Sequence, residues 1–346
     1  MNKKKLKRII LSLFIFLFVV GINYYLIKDV YLDIFEIFQT LSLLKIMILL
    51  LWSLCPLLFQ ALSLKKLIQI KGVKDSYKDV LSQVFSTVFL SYSLSPAIGK
   101  GTQIAMLKKR NISLGNACDI GIADQIVNSI ATLFLFALSI IMGYRSFSKQ
   151  FPTLWIIAII GFLTTLLIFV VLLLLYIPLF NQYIHTFIEW ILKYVNHIKY
   201  LKRLCLNLLQ IVDEIKESKI DYTIHKKEYI FAIIFCFIKA LMYHSIPCII
   251  LYLLDAQMKI QELYLYIYLS CFVTMILNAI PIYGDYGIAE ISFITIFSHY
   301  IDSSLATSAM FLWRFTTFYF ISLVGGFVFM KYSDKDVKNY VENESE

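Results

Sequence analysis

Eight ionisable side chains stand inside otherwise apolar stretches of this sequence: Lys100, Asp119, Asp124, Lys239, His244, Asp285, Glu290 and Arg314. Charge inside hydrocarbon is expensive, so it survives where it pairs, lines a polar cavity or moves a proton or an ion. Lysine and arginine can hold a phosphate there, and carboxylates can take a proton, an ion or a cationic group. Each position also has a purely structural reading. Glu290 and Arg314 can form a buried bridge between a hairpin and the last span. Lys239 and His244 sit five apart beside Pro247, where a kink and a polar contact between helices are favoured over substrate contact. Lys45 lies near a span end, from which its ammonium can snorkel to the surface.

Two Pro/Gly-rich interruptions supply backbone for the same chemistry. They read Ser95-Pro96-Ala97-Ile98-Gly99-Lys100-Gly101 and Pro281-Ile282-Tyr283-Gly284-Asp285-Tyr286-Gly287. Helices resuming after Gly101 and after Gly287 would aim unsatisfied N–H groups and a positive dipole end at the membrane interior. Such an end attracts an anion, and a phosphate headgroup is the natural anion of a bilayer.

Enzymatic signatures are weak. There is no P-loop, no GxSxG, and none of the five histidines stands at a metal-ligand spacing. The six cysteines are scattered, without a CxxC or a Cys/His cluster. The sequence calls for no metal and no cofactor.

The elements that hold these residues are membrane helices. Sixty per cent of the 346 residues are hydrophobic and 16% are charged, too few to clothe a soluble protein of ordinary composition. Segments 9–27, 41–62, 114–143, 153–178, 229–254 and 303–330 are each long enough to cross a hydrocarbon core, which takes about 20 residues. The first follows the basic stretch Lys3 to Arg8 and ends in Asn23-Tyr24-Tyr25 rather than a cleavage site, so it reads as a retained span. Two further regions, 79–107 and 263–299, carry the interruptions and read as re-entrant hairpins.

Lysine and arginine set the orientation. With a cytoplasmic N-terminus, 24 of the 32 basic residues fall on the inside and four on the outside, as positive-inside topology requires. The net charge of +9 is therefore a topology signal and not a nucleic-acid footprint. Both termini are expected in the cytoplasm and the chain in the cell membrane.

The fold class expected is an all-α polytopic membrane protein with about six full spans and two broken hairpins in an inverted repeat. Residues 1–330 form one transmembrane domain, with repeat A over about 41–143 and repeat B over about 229–330. Inverted repeats are a common plan of secondary transporters. Segment 181–228 places apolar residues at mostly three- and four-residue intervals between lysines. It reads as an amphipathic helix on the inner leaflet, with a solvated loop as the plainer alternative. Residues 331–346 form a short charged tail, expected to be disordered.

Segment 280–326 carries a resemblance. It runs Ile280-Pro281-Ile282-Tyr283-Gly284-Asp285-Tyr286-Gly287-Ile288-Ala289-Glu290, then Leu312-Trp313-Arg314-Phe315-Thr316-Thr317-Phe318-Tyr319, then Gly325-Gly326. It resembles the lysylphosphatidylglycerol synthase transmembrane-region family, also called flippase-like membrane proteins. That family shows P-x-P-G-x-x-G-x-x-E, then W/Y-R-x-x-T-Y-Y, then Gly. Ser95-Pro96, Gly99, Gly101, Gln103 and Lys108-Lys109-Arg110 approximate a matching first motif. Two departures stand out. Tyr283-Gly284 replaces a frequent Pro-Gly, and Asp124-Gln125 replaces a frequent Glu-Arg, which removes a cation from that span.

The resemblance implies a lipid transporter moving a phospholipid or lipid-linked molecule between leaflets. Lys100, Gly101, Gln103, Gly284, Gly287 and Arg314 would hold an anionic headgroup. Asp124, Asp285 and Glu290 would relay charge or couple to an ion. Large members carry a cytoplasmic aminoacyltransferase domain that makes lysyl-phosphatidylglycerol and confers resistance to cationic peptides. After residue 330 only a 16-residue tail remains, with no room for that domain. Two alternatives stay open: a lysyltransferase-family protein acting with a separate catalytic partner, and a non-transporting accessory subunit of an envelope polymer system. Membrane lipids are the expected partners, nucleic acid is not, and a homo-oligomer or an envelope-biosynthesis partner is compatible with the sequence.

Overall fold

The computed structural model describes residues 41–110, 112–175, 178–195, parts of 201–213, 225–254, 263–280 and 287–343. The expected first span, the hairpin tip with Gly284 and Asp285, and most of 196–228 lie outside the described residues. Every regular element among the described residues is helical.

Local sequence signals place the helix ends. Helix α1 (Leu43–Ile70) starts at Ser42, whose hydroxyl accepts from the Lys45 amide. It stops before Gly72, which takes φ +74° and donates its amide to the Gln69 carbonyl at 3.0 Å, a left-handed cap that glycine adopts freely. Helix α2 (Tyr77–Ser93) is capped by Ser76. Helix α3 (Pro96–Lys108) begins at a Ser95 cap with proline in its first turn, where the missing N–H has no cost. Helices α4 (Leu114–Gln150) and α5 (Pro152–Leu174) follow, then α6 (Pro178–Val195).

Helices α7 (Lys226–His244) and α8 (Ile246–Leu253) form one apolar column broken at Ser245, beside Pro247, where a kink was expected. The Lys45 ammonium donates to the Leu253 carbonyl at 2.8 Å, so it satisfies the C-terminal end of α8. Helices α9 (Leu263–Ala279) and α10 (Ile288–Phe297) come next. Helix α11 (Ser303–Arg314) runs through a π-turn at Phe315–Tyr319 into α12 (Phe320–Asn343). The backbone is helical to Asn343, and Lys331–Asn343 contains no Pro or Gly to stop it.

Among the described residues, five columns are long and apolar enough to cross a membrane: Leu43–Ile70, Leu114–Gln150, Pro152–Leu174, Lys226–Leu253 and Ser303–Lys331. They coincide with five of the six expected spans. With 13 and 10 residues, α3 and α10 fall short of the roughly 20 a crossing takes.

Helix α1 packs along α7, α2 along α12, and α9 along both α5 and α4. Small residues permit these approaches, as is usual where lipid supplies no hydrophobic drive between helices. A Cβ on Gly161 would lie 1.7 Å from the Met275 carbonyl oxygen, so α5 and α9 touch backbone to backbone. A Cβ on Gly325 would lie 2.8 Å from the Phe85 carbonyl, joining α12 to α2 in the same way. The outer side of α5 exposes Ile156, Ile160, Leu163 and Leu167, the surface of a lipid-facing span.

Candidate functional site: a charged cavity between helices

Six helices, α1, α2, α3, α4, α7 and α9, line a half-open cavity of about 420 Å³, within the roughly 300–1,000 Å³ of small-ligand sites. Its floor is built around Asp124, 1% exposed on α4. Lys100 Nζ of α3 lies 2.6 Å from Asp124 Oδ2 and also donates to Gln103 Oε1 at 3.2 Å. Gln103 Nε2 donates to the same carboxylate oxygen at 3.3 Å. The other oxygen, Oδ1, accepts from Gln60 Nε2 at 2.7 Å and from Asn128 Nδ2 at 3.2 Å.

Lys239 closes the network from α7. Its ammonium donates to Gln60 Oε1 and Asn128 Oδ1, each at 2.6 Å. An ammonium only donates and a carboxylate only accepts, so the two amides between them have a fixed orientation. Lys239 thus reaches Asp124 through two polarised amides, and Lys100 reaches it directly. The cation that the Asp124-Gln125 departure removes from this span is therefore supplied from neighbouring helices. The polar contact expected of Lys239 and His244 is made by both: His244 Nδ1 lies 3.1 Å from Ser270 Oγ. Both also line the cavity.

A second ion pair stands apart from the cavity lining. Arg314 Nε lies 2.7 Å from Glu290 Oε1, joining α11 to α10. The guanidinium also sits 5.2 Å from the Phe318 ring centroid, on the π-turn. Phe318 in turn stacks on Tyr92 at 4.9 Å, and Tyr92 forms part of the cavity wall. A π-turn between the arginine and this stack matches the frequent placement of π-bulges at functional sites. The Thr316 and Thr317 hydroxyls bond back to the carbonyls of Leu312 and Trp313 and so support the irregular turn.

The expected site residues divide accordingly. Lys100, Gln103 and Asp124 meet in the cavity; Glu290 and Arg314 meet each other. Gly101 is exposed and inside α3, not before it. The helix starts six residues earlier than expected, because Ser95 and Pro96 supply a stronger start than the glycines. Gly287 does cap α10, at φ +78°, as expected. Gln60 and Asn128 were missed; the available signal was an amide inside an apolar span, which must find a partner. Asp119 pairs with Lys71 at 2.7 Å between α4 and the end of α1. Arg110 pairs with Asp75 and donates to the Asp79 carbonyl at 3.1 Å.

The family model described as Lysylphosphatidylglycerol synthase TM region matches residues 9–325. No curated protein and no solved structure matches the chain.

Proposed function

The chain belongs to the lysylphosphatidylglycerol synthase transmembrane-region family, and from that premise we propose that it moves a phospholipid or lipid-linked molecule between leaflets through the Lys100–Asp124–Lys239 cavity. One observation carries the reading. Apolar spans line a half-open cavity whose wall bears three charged side chains from three different helices. Charged groups this deep among spans are otherwise rare.

The arrangement of helices supports an inverted repeat. Unit A is α1 to α4 and unit B is α7 to α12. The first helices of the two units pack together, α1 on α7, and each hairpin leg packs on the other unit's last span, α2 on α12 and α9 on α4. The short α3 and α10 return as the second legs of re-entrant hairpins, one from the cytoplasm and one from outside. Irregular backbone at that depth is tolerated where it is buried or lines a cavity. One unit rocking against the other would expose the cavity alternately.

In this topology α6 lies on the inner leaflet. Its exposed Tyr183, Phe187, Trp190 and Tyr194 fall on one stripe, three- and four-residue steps apart, and it begins three residues after Leu175, which follows the lipid-facing α5. Aromatic stripes of this kind sit at headgroup level. A variant retaining Trp190 as its sole tryptophan is expected to be quenched by lipids brominated high on the acyl chain and shielded from aqueous iodide. Quenching by iodide but not by brominated lipid would return α6 to solvent.

Transport is tested in proteoliposomes with fluorescent phospholipids and a membrane-impermeant reductant. The native chain is expected to expose inner-leaflet lipid, and Lys100→Gln to slow it about tenfold, the effect of one charge-assisted hydrogen bond. Native vesicles no faster than empty ones, across lipids of every headgroup charge, would remove the transport reading.

A further inference from the structure

We infer that the cavity selects a headgroup with one net negative charge on a phosphodiester and rejects zwitterionic and net-cationic headgroups; the lipid as its source rests on the transport reading above. The family name points toward an aminoacylated, cationic lipid, and the side chains point the other way.

Donor and acceptor capacity decides the sign. A carboxylate offers about four lone-pair sites. Asp124 already accepts from Lys100, Gln103, Gln60 and Asn128, two donors on each oxygen. It has no site left for an incoming ammonium. The lysines are in the opposite condition. Each ammonium carries three N–H donors. Lys100 spends two on Asp124 and Gln103, and Lys239 spends two on Gln60 and Asn128. Each therefore keeps one N–H without a partner among the described residues, available to a ligand. Thr87 also lines the cavity, and its hydroxyl is buried without a partner among the described residues.

Charge gives the same answer. Two lysines against one aspartate leave a single positive charge in the lining. A phosphodiester brings one negative charge and acceptor oxygens for the two spare ammonium donors. A zwitterion brings the same phosphate with a cation that has no carboxylate to meet. A lysyl headgroup makes the net charge worse.

The test measures binding apart from transport. The full chain in non-ionic detergent is titrated with dihexanoyl phosphatidylglycerol, phosphatidylcholine, lysyl-phosphatidylglycerol and inorganic phosphate, following its thermal midpoint. Phosphatidylglycerol is expected to raise the midpoint by about 3–5 °C at saturation, and the other three by less than about 1 °C. Lys100→Gln and Lys239→Gln each bring the net charge to zero and are expected to weaken phosphatidylglycerol binding about tenfold. Lys100, at the more exposed end of the network, gives the variant that keeps the fold if Lys239→Gln does not.

Equal stabilisation by phosphatidylcholine or the lysyl lipid overturns the inference, as does full phosphatidylglycerol affinity in folded Lys100→Gln. Equal stabilisation by inorganic phosphate overturns the lipid source. Selective binding without movement in vesicles upholds the selectivity and sinks transport. Movement of all three lipids at equal rates upholds transport and sinks the selectivity.

Discussion

Asp124→Ala is expected to lower the unfolding midpoint of the detergent-solubilised chain by about 5–10 °C, corresponding to a loss of about 3 kcal/mol. The carboxylate is the single acceptor on which four donors converge, from α1, α3 and α4. Its removal leaves Lys100 free to turn outward, because that side chain is 38% exposed. Lys239 is held between Gln60 and Asn128 and keeps a charge with no counter-ion relayed to it. Breaking a buried pair from one side costs more than the pair contributes, because the remaining charge stays desolvated. Asp124→Asn keeps the shape and one acceptor oxygen but adds a donor among donors, so it should fall between the native chain and Ala. Differential scanning fluorimetry with a thiol-reactive or intrinsic reporter reads all three. An Ala variant within about 1 °C of the native midpoint would mean that the network contributes little to the packing of these helices.

The sequence shows why some of this site was legible and some was not. Asp124, Lys100 and Lys239 announce themselves individually, because charge inside an apolar run requires an explanation. Their partners do not. Nothing in the order of residues says that Lys100 of one helix meets Asp124 of the next, or that Lys239 reaches it through two amides. Those contacts depend on how α1 packs along α7 and α4, which is a tertiary fact. Arg314 shows the same limit. Its residue type allows a phosphate or Glu290 as partner, and only the packing of α10 against α11 selects the carboxylate. The start of α3 was legible and misread: Ser95-Pro96 is a helix start, and Gly99 after it serves close packing. A Cβ on Gly99 would lie 2.7 Å from the Thr87 carbonyl, so Gly99 brings α2 and α3 together. The π-turn has no comparable signal. It is one extra residue per turn fitted between Arg314 and the α12–α2 contact, and the local sequence Phe315-Thr316-Thr317 would serve an ordinary helix equally well.

Arg314→Ala is expected to cost about 2–4 kcal/mol and to reduce lipid transport more than its loss of stability explains. Glu290 is about one-quarter exposed and Arg314 about 7% exposed. The arginine is thus the more deeply desolvated partner, and its removal leaves Glu290 Oε1 without its donor while Oε2 already lacks one among the described residues. The double variant Arg314→Gln with Glu290→Gln removes both charges and keeps an amide pair in nearly the same volume. It should recover most of the lost stability, since a buried pair replaced by neutral groups is often close to neutral. Transport separates the two roles of the pair. The guanidinium lies over Phe318, Phe318 stacks on Tyr92, and Tyr92 forms the cavity wall, so an amide at position 314 restores the α10–α11 contact without the cation that orders this stack. The double variant is therefore expected to be stable and slow. A double variant both stable and as fast as the native chain would reduce Glu290 and Arg314 to a bridge that holds the second hairpin in place. A double variant no more stable than Arg314→Ala would show that the arginine acts through Phe318 packing and not through its carboxylate.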